Sequence, residues 1–264
     1  MKLDAKFVGS IPSLYEEHLV PVLFAPFAKD LVARAMALKS REVLEVAAGT
    51  GVVSHLLAEA LPNARIVATD LNLAMLEVAR SRGQFANLSF EEADAQSLPF
   101  DHRSFDLVLI QFGAMFFPDK MGAYAEARRV LVPGGTLLFN VWDRIDSNPG
   151  SAAIHKAVCD SVPAPKPEFL ARTPFGYNDP ELIESQLRAS GFTTVTIERV
   201  EQISPPRSAE ALARGMCLGS PLANELAAHS RSIQERALAD ATEAAKHAEG
   251  SGRLAMAALV VTAS

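Results

Sequence analysis

The sequence predicts a doubly wound, mostly parallel α/β sheet of seven strands with helical insertions. Between residues 41 and 142, apolar strands alternate with helical stretches across short connections, which is the pattern of parallel sheets whose crossovers are helices. Residues 193–200 alternate like a strand, and residues 254–262 are apolar enough to be the last strand of the sheet. The first strand, residues 43–46, runs directly into a glycine turn. Because open α/β sheets bind ligands where their strands end, we expect the site at this turn.

Composition and charge narrow the function classes. The chain has 264 residues, of which 49% are hydrophobic and 21% charged, so we expect an ordinary globular protein with a sizeable core. A formal charge of -6 disfavours a sequence-independent nucleic-acid binder, which needs a basic surface. The two cysteines and six histidines lack metal-ligand spacing. No secretory signal or membrane-length apolar run is visible, so we expect a cytoplasmic protein without nucleic-acid or membrane partners, and a homodimer is compatible with the sequence.

We expect a single domain over residues 1–264, with insertions that cover a site. Ser13 and Glu16 have the spacing of a capping box that starts a helix at about residue 14, and Pro21 and Pro26 are expected to break or kink it. The predicted parts are an N-terminal helical arm (1–40), a ligand-binding core (41–142), two insertions (143–178 and 204–252) and a last strand (253–264).

The glycine turn and two carboxylates predict an adenosine-type ligand. Gly49 and Gly51 carry no Cβ, so a bulky ligand can approach the backbone closely. Asp70 ends the second strand, where a carboxylate suits ribose hydroxyls. Asp70 and Asp94 taken singly are more simply helix N-caps, but beside the glycine turn we interpret both as ligand groups. Ser54 stands where the G-x-G-x-x-G fingerprint has its last glycine, which weakens a dinucleotide interpretation.

Four motifs occur in a characteristic order along residues 40–142. They are Val43-Leu44-Glu45-Val46-Ala47-Ala48-Gly49-Thr50-Gly51, Ala68-Thr69-Asp70, Glu92-Ala93-Asp94-Ala95 and Arg128-Arg129-Val130-Leu131-Val132-Pro133-Gly134-Gly135. In this order the sequence resembles the class I S-adenosylmethionine-dependent methyltransferases, in particular the type-11 group that includes the ubiquinone/menaquinone C-methyltransferase-like proteins. The resemblance implies the Rossmann-like methyltransferase fold, S-adenosylmethionine as cofactor and S-adenosylhomocysteine as product.

The resemblance also implies roles for individual residues. Backbone groups of Ala47, where the family often has glycine, and of Gly49, Thr50 and Gly51 would contact the methionine and ribose end of the cofactor. The remaining expected cofactor contacts are Asp70 to the ribose, Leu71 and Met75 to the adenine, Asp94 to its amino group with Ala95 and Gln96 beside the ring, and Gln111, Phe112 and Gly113 near the methyl group. Met75 could reach the adenine face, but a methionine at helical spacing is more often simply a core residue. Tyr15 contacts either the ligand or the core, and Glu45 either caps backbone donors or contacts the cofactor amine indirectly.

The expected reaction is methyl transfer to a small, largely apolar or aromatic molecule by in-line displacement. Apolar residues of the insertions and of the loop after the fourth strand either line its pocket or pack under the insertions, namely Phe116, Phe117, Phe169, Phe175, Tyr177, Met216 and Leu218. No catalytic base is assigned among Tyr15, His18, Asp143, His155 and Tyr177, because geometry decides such assignments. Two alternatives stay open, a nicotinamide-dependent oxidoreductase and a non-catalytic cofactor-binding protein of the same fold.

Overall fold

The computed structural model describes residues 3–5, 7–250 and 252–264. Residues 1, 2, 6 and 251, which belong to the predicted arm and second insertion, lie outside the described residues. The strands are β1 (Glu42–Val46), β2 (Arg65–Asp70), β3 (Leu88–Glu92), β4 (Phe105–Gln111), β5 (Leu131–Trp142), β6 (Val195–Ile203) and β7 (Ala255–Ala263). Across the described ranges they form one seven-stranded sheet in the order β3-β2-β1-β4-β5-β7-β6.

Parallel pairing places the predicted strand exits along one edge of this sheet. The pairs β1 with β2, β1 with β4, β2 with β3 and β4 with β5 are all parallel. Thr194 and Ser264 exchange N–H···O bonds of 3.0 Å in both directions, the mark of an antiparallel pair, at the start of β6 and the end of β7. The predicted doubly wound, mostly parallel fold is confirmed.

The helices connect these strands and supply the predicted insertions. They are α1 (Ile11–Leu14), a π-helix (Tyr15–Phe24), α2 (Ala25–Leu38), α3 (Val52–Ala60), α4 (Leu73–Ser81), α5 (Lys120–Val130), α6 (Pro149–Ser161), α7 (Phe169–Arg172), α8 (Pro180–Ala189), α9 (Ala209–Leu218), α10 (Leu222–Leu226) and α11 (Arg231–Glu249). Among the described helices, none combines the length and apolar character of a membrane span. The cytoplasmic location stays a prediction.

The chain forms two compact units, each assembled from separated segments. The core unit comprises residues 27–141, 178–200 and 258–264, and the helical unit comprises residues 1–26, 142–177 and 201–257. The predicted arm and insertions therefore fall largely in the helical unit. That they cover a site within a single domain stays a prediction.

In the core unit, burial on both faces of the sheet explains the continuous apolar strands. Val43 and Leu44 in β1 and Leu107, Val108 and Leu109 in β4 have 0% exposed surface. A strand covered by helices on both faces loses the alternation of apolar and polar residues. The sheet thus holds the turn after β1 on a rigid base.

In the helical unit, the first helix differs from its prediction. It begins at Ile11, and the Ser13 hydroxyl donates to the Ser10 carbonyl instead of capping a helix that starts at residue 14. Pro21 lies inside the π-helix, so the helix does not break at this proline. Tertiary packing explains why the chain stays helical at Pro21. Helix α9 lies so close to the π-helix that a Cβ added to Gly215 would lie 2.5 Å from the Leu19 side chain. Close contact with α9 stabilises a helical turn that local sequence disfavours.

Candidate functional site

The turn after β1 is built on left-handed backbone. Ala47 and Gly49 both have φ of 56°, and Gly51 has φ of 78°. A Cβ on Gly51 would lie 2.9 Å from the Cβ of Ala79, so the position requires glycine for space as well as conformation. Ala47 adopts the conformation that glycine would supply, at a cost on the order of 1 kcal/mol. The turn therefore keeps the course expected for glycine although Ala47 replaces it.

Asp70 ties the ends of β1 and β2 together. Its Oδ2 accepts from the Gly49 N–H at 2.8 Å, and its Oδ1 accepts from the Asn72 N–H at 2.8 Å. The residue is buried, and burial raises the pKa of its carboxyl, while these hydrogen bonds act in the opposite direction. A carboxylate offers about four acceptor sites. Asp70 can thus hold the turn and still accept hydrogen bonds from a ligand hydroxyl.

Beneath the turn, Glu45 and Ser54 form a buried pair. The Ser54 hydroxyl donates to Oε2 of Glu45, and the two residues are 0% and 1% exposed. Burial raises the pKa of Glu45 to about 8, and the negative charge of Asp70 adds to the increase. The serine that replaces the third fingerprint glycine is therefore the partner of Glu45, a pairing that neither sequence interpretation of Glu45 included.

The loop after β3 is organised by Asp94. Its Oδ1 accepts from the Gln96 N–H at 2.9 Å and from the Gln96 side-chain amide at 3.1 Å. The Gln96 carbonyl oxygen in turn accepts from the Asp119 N–H at 3.0 Å, at the start of α5. Asp94 thus orders its own loop, and its predicted contact with adenine stays a prediction.

The residues expected beside the adenine differ in exposure. Leu71 is 41% exposed, whereas Met75 is 3% exposed and Ala95 is 8% exposed. The Met75 methyl would lie 3.5 Å from a Cβ built on Gly49, so it packs directly against the turn. Leu71 follows Asp70 immediately, and its exposed apolar side chain could pack against the adenine ring.

The exits of β4 and β1 contact each other. Phe112 has φ of 49°, and its ring packs edge-on against Phe27 at 5.4 Å. A Cβ added to Gly113 would lie 2.7 Å from the Cβ of Ala47. Gln111 pairs with Asn140 in the register of β4 with β5. The predicted residues Ala47, Gln111, Phe112 and Gly113 are therefore brought together at one edge of the sheet.

The remaining predicted residue, Tyr15, belongs to the helical unit. Its ring stacks on Phe24 with centroids 4.9 Å apart, and its cofactor contact stays a prediction. The candidate bases His18, Asp143, His155 and Tyr177 lie in the same unit. Burial lowers the pKa of His155.

Sequence reasoning missed Asn140. It is 0% exposed and its Oδ1 accepts from the Phe112 N–H at 2.9 Å. A single amide in the otherwise apolar end of β5, Leu137-Leu138-Phe139-Asn140-Val141-Trp142, was the available signal, because buried polar side chains need a partner.

The donors and acceptors at the turn fit S-adenosylmethionine. Thr50 is 1% exposed, and among the described residues its hydroxyl oxygen has no hydrogen-bond partner. Buried polar groups without partners are rare in native proteins. An open glycine backbone, a spare hydroxyl and the Asp70 carboxylate together suit a ligand that carries ribose hydroxyls and a charged amino-acid end. Over the described ranges, no cluster of three or more His, Cys, Asp or Glu side chains is arranged to hold a metal.

Comparison with known proteins identifies the family. Residues 43–135 match a methyltransferase domain family. The demethylmenaquinone methyltransferase of Deinococcus radiodurans is 34% identical over 178 residues, which are 61% of this chain and 72% of that protein. The chain belongs to the class I S-adenosylmethionine-dependent methyltransferases of the ubiquinone/menaquinone type. A ubiquinone/menaquinone biosynthesis C-methyltransferase of Hahella chejuensis is 41% identical over 101 residues, 36% of this methyltransferase and 41% of that protein.

Solved structures support the fold of this methyltransferase. Phosphoethanolamine N-methyltransferase 2 of Haemonchus contortus, solved in complex with S-adenosyl-L-methionine, superimposes with a TM-score of 0.60 at 18% identity, covering 96% of this chain and 56% of that one. A putative methyltransferase from Bacillus halodurans gives 0.55 at 20% identity, with 88% and 97% covered. At these identities the likeness concerns the fold alone. The predicted family, cofactor and enzyme class are confirmed.

Proposed function

We propose that this methyltransferase transfers the methyl group of S-adenosylmethionine to a small, largely apolar or aromatic molecule by in-line displacement. The observation that carries the cofactor part is the buried Asp70 carboxylate, bonded to the Gly49 N–H with acceptor capacity to spare. The names of the relatives support the acceptor class, since demethylmenaquinone and the ubiquinone and menaquinone precursors are ring compounds of low polarity.

Residues of the core unit are proposed to hold the cofactor. The backbone at Ala47, Gly49, Thr50 and Gly51 would receive its methionine and ribose end, and Asp70 would accept from its ribose hydroxyls. The other proposed contacts are those of Leu71, Met75, Asp94, Ala95, Gln96, Gln111, Phe112 and Gly113, with Tyr15 from the helical unit. The bound sulfonium supplies a methyl group that is already activated. The task of these residues is therefore positioning, and good orientation is worth about 7–11 kcal/mol.

The helical unit contains a series of neighbouring aromatic rings, which supports an aromatic acceptor. Five rings follow one another, Phe7 to Tyr15 at 6.0 Å, Tyr15 to Phe24 at 4.9 Å, Phe24 to Trp142 at 6.1 Å and Trp142 to Phe175 at 5.9 Å. Aromatic pairs at these separations are favourable beyond their buried area. The same rings also stabilise the unit through these contacts.

Calorimetry with S-adenosylhomocysteine tests the cofactor assignment. We expect binding by the wild type and a loss of at least tenfold in affinity for Asp70→Asn, which removes the carboxylate. Asp106→Asn is the matched control, because Asp106 accepts from the N–H groups of Arg41 and Glu42 at 2.9 and 3.2 Å, at the opposite end of β1. It should lower stability without lowering affinity. Equal losses for both variants, or binding of reduced nicotinamide instead, contradict the assignment.

A turnover screen tests the acceptor class. Release of S-adenosylhomocysteine is measured with demethylmenaquinone and substituted phenols in one arm and with phosphoethanolamine in the other. We expect turnover in the first arm. Turnover of the polar amine alone contradicts the apolar acceptor, and cofactor binding without turnover of any acceptor favours a binding protein.

A further inference from the structure

Asn140 is a polar side chain in the interior of the core unit. It lies in β5 between Phe139 and Val141, both 0% exposed, and is itself 0% exposed. A carboxamide brings one acceptor oxygen and two donor hydrogens into this apolar strand end. Unless each is bonded, such a group destabilises the fold relative to an apolar side chain of similar size.

One end of this amide has a partner in the protein. The Phe112 N–H donates to its Oδ1 at 2.9 Å. Because a backbone N–H requires an acceptor, this bond fixes which end of the amide is oxygen and which is nitrogen. Within the described part of the chain, Nδ2 of Asn140 has no hydrogen-bond partner. The buried Nδ2 group is therefore the end of the amide that lacks a hydrogen-bond partner.

The location of this donor connects it with the methyltransferase site. Asn140 is held against Phe112, whose left-handed φ of 49° turns the chain from β4 into Gly113. Gly113 in turn lies against the Cβ of Ala47 in the glycine turn. The unpartnered amide therefore belongs to the same strand exits as the proposed cofactor contacts.

We propose that Asn140 is a positioning residue whose Nδ2 donates a hydrogen bond to an oxygen atom of the bound reactants. This inference rests on the proposed function. The oxygen is a carboxylate oxygen of the cofactor's amino-acid end or an oxygen of the methyl acceptor. Ligand affinities and the KM for the acceptor distinguish the two. The Oδ1 bond meanwhile holds the turn at Phe112, so one side chain orders the protein and the ligand together.

Asn140→Asp tests the donor specifically. The aspartate keeps an oxygen for the Phe112 N–H, but its ionised form has no hydrogen to donate. The matched control is Asn148→Asp in the helical unit, since Asn148 is 2% exposed and its Oδ1 also accepts a backbone N–H, that of Ala257. Its Nδ2 donates to the carbonyls of Arg144 and Ala257 at 3.2 and 3.1 Å, so its donor is already used within the protein.

Calorimetry compares S-adenosylhomocysteine with 5′-methylthioadenosine, which lacks the amino-acid end. If the cofactor supplies the oxygen, Asn140→Asp should weaken the first ligand roughly 10–100-fold and leave the second unchanged. If the acceptor supplies it, both affinities stay unchanged and KM for demethylmenaquinone rises at least tenfold.

A measurement on the wild type removes dependence on the variant's folding. In protein labelled with ¹⁵N-asparagine, the side-chain NH₂ signals of Asn140 should shift when S-adenosylhomocysteine or the acceptor is added, and those of Asn148 should not. Unchanged affinities and KM for Asn140→Asp, together with an unmoved Asn140 signal, overturn the inference. Failure of the wild type to bind S-adenosylhomocysteine at all would instead overturn the proposed function.

Discussion

At the turn after β1, Ala47 holds a backbone conformation that glycine adopts at lower cost. Its φ of 56° is left-handed, and its Cβ fills the space that a Cβ on Gly113 would need. The alanine therefore favours glycine at the exit of the neighbouring strand β4. The backbone strain at Ala47 and the packing at Gly113 are therefore coupled, and mutations at both positions measure the coupling.

We expect Gly113→Ala to lower the free energy of unfolding by roughly 1–3 kcal/mol, because the added methyl meets Ala47 and Ile110 at 2.7 and 2.9 Å. In an Ala47→Gly background the first of these contacts is gone. The loss should then shrink by at least about 0.5 kcal/mol, in a double-mutant cycle followed by urea unfolding. Strictly additive effects would show that the two positions do not interact.

The buried Glu45 makes stability depend on pH. Its pKa of about 8 in the folded protein lies above the ordinary value of 4.5. The unfolded chain therefore releases this proton first as the pH rises, and the free energy of unfolding falls between about pH 4.5 and pH 8. Asp70, whose pKa is also raised, contributes in the same direction.

Glu45→Gln should remove the part of this slope that Glu45 contributes. The variant gains stability relative to the wild type as the pH rises toward 8, and the difference levels off above it, as measured by denaturant unfolding at several pH values. Glu42→Gln serves as control, because Glu42 lies on the same strand with a side chain that is 45% exposed in an ion pair with Arg65. A pH-independent difference between wild type and Glu45→Gln would contradict the prediction.

At the scale of elements, Arg129 of α5 fastens the loop that follows β3. Its guanidinium donates to the carbonyls of Leu98 and Phe100 at 2.9 and 2.7 Å and pairs with Glu126. Glu126 also accepts from the Leu98 N–H at 2.8 Å. The helix and the loop carrying Asp94 and Gln96 are thereby joined through side-chain bonds to backbone.

We expect Arg129→Met to destabilise the protein by about 1–3 kcal/mol, since it leaves two half-buried carbonyls and Glu126 without their partner. Arg188→Met is the control, because Arg188 is 49% exposed and bonds one carbonyl, that of Thr193, besides its ion pair. Arg188→Met should lower the free energy of unfolding by less than Arg129→Met does. Thermal unfolding of both variants measures the difference, and equal losses would show that the loop anchor contributes nothing beyond a surface ion pair.

How far the sequence predicts these elements depends on where the deciding contacts lie. The strand predicted at 254–262 is β7 (Ala255–Ala263) to within one residue at each end, because burial on both faces leaves a continuous apolar run. The π-helix at Tyr15–Phe24 was not predictable, since Pro21 argues against any helix and the compensating contact comes from Gly215 in α9. Ser54 was recognised as a departure from a glycine motif, but its bond to Glu45 becomes visible only in three dimensions.

At the scale of the whole molecule, each unit is assembled from three separated segments. The helical unit joins its first and second segments through Asp4, which accepts from Arg172 at 2.7 and 3.0 Å and from the Thr173 hydroxyl at 2.7 Å. The third segment joins through Glu225, which accepts from Arg172 at 2.8 Å. Both acidic partners raise the pKa of Arg172. Charges this far apart in sequence have many potential partners, so sequence reasoning did not identify this cluster.

Arg172→Met should loosen the helical unit without loosening the core unit. The three segments lose their shared cation, and the Asp4 and Glu225 carboxylates are left close together without it, so backbone amides of residues 3–5, 168–173 and 222–226 should exchange faster with deuterium. Amides of β1 and β4 should keep their protection. Arg231→Met is the control, because Arg231 is 91% exposed in its pair with Glu235 and such pairs contribute less than about 1 kcal/mol. Faster exchange in β1 and β4 as well would mean that the cluster stabilises the molecule globally, and unchanged exchange in all five segments would mean that the cluster orders none of them.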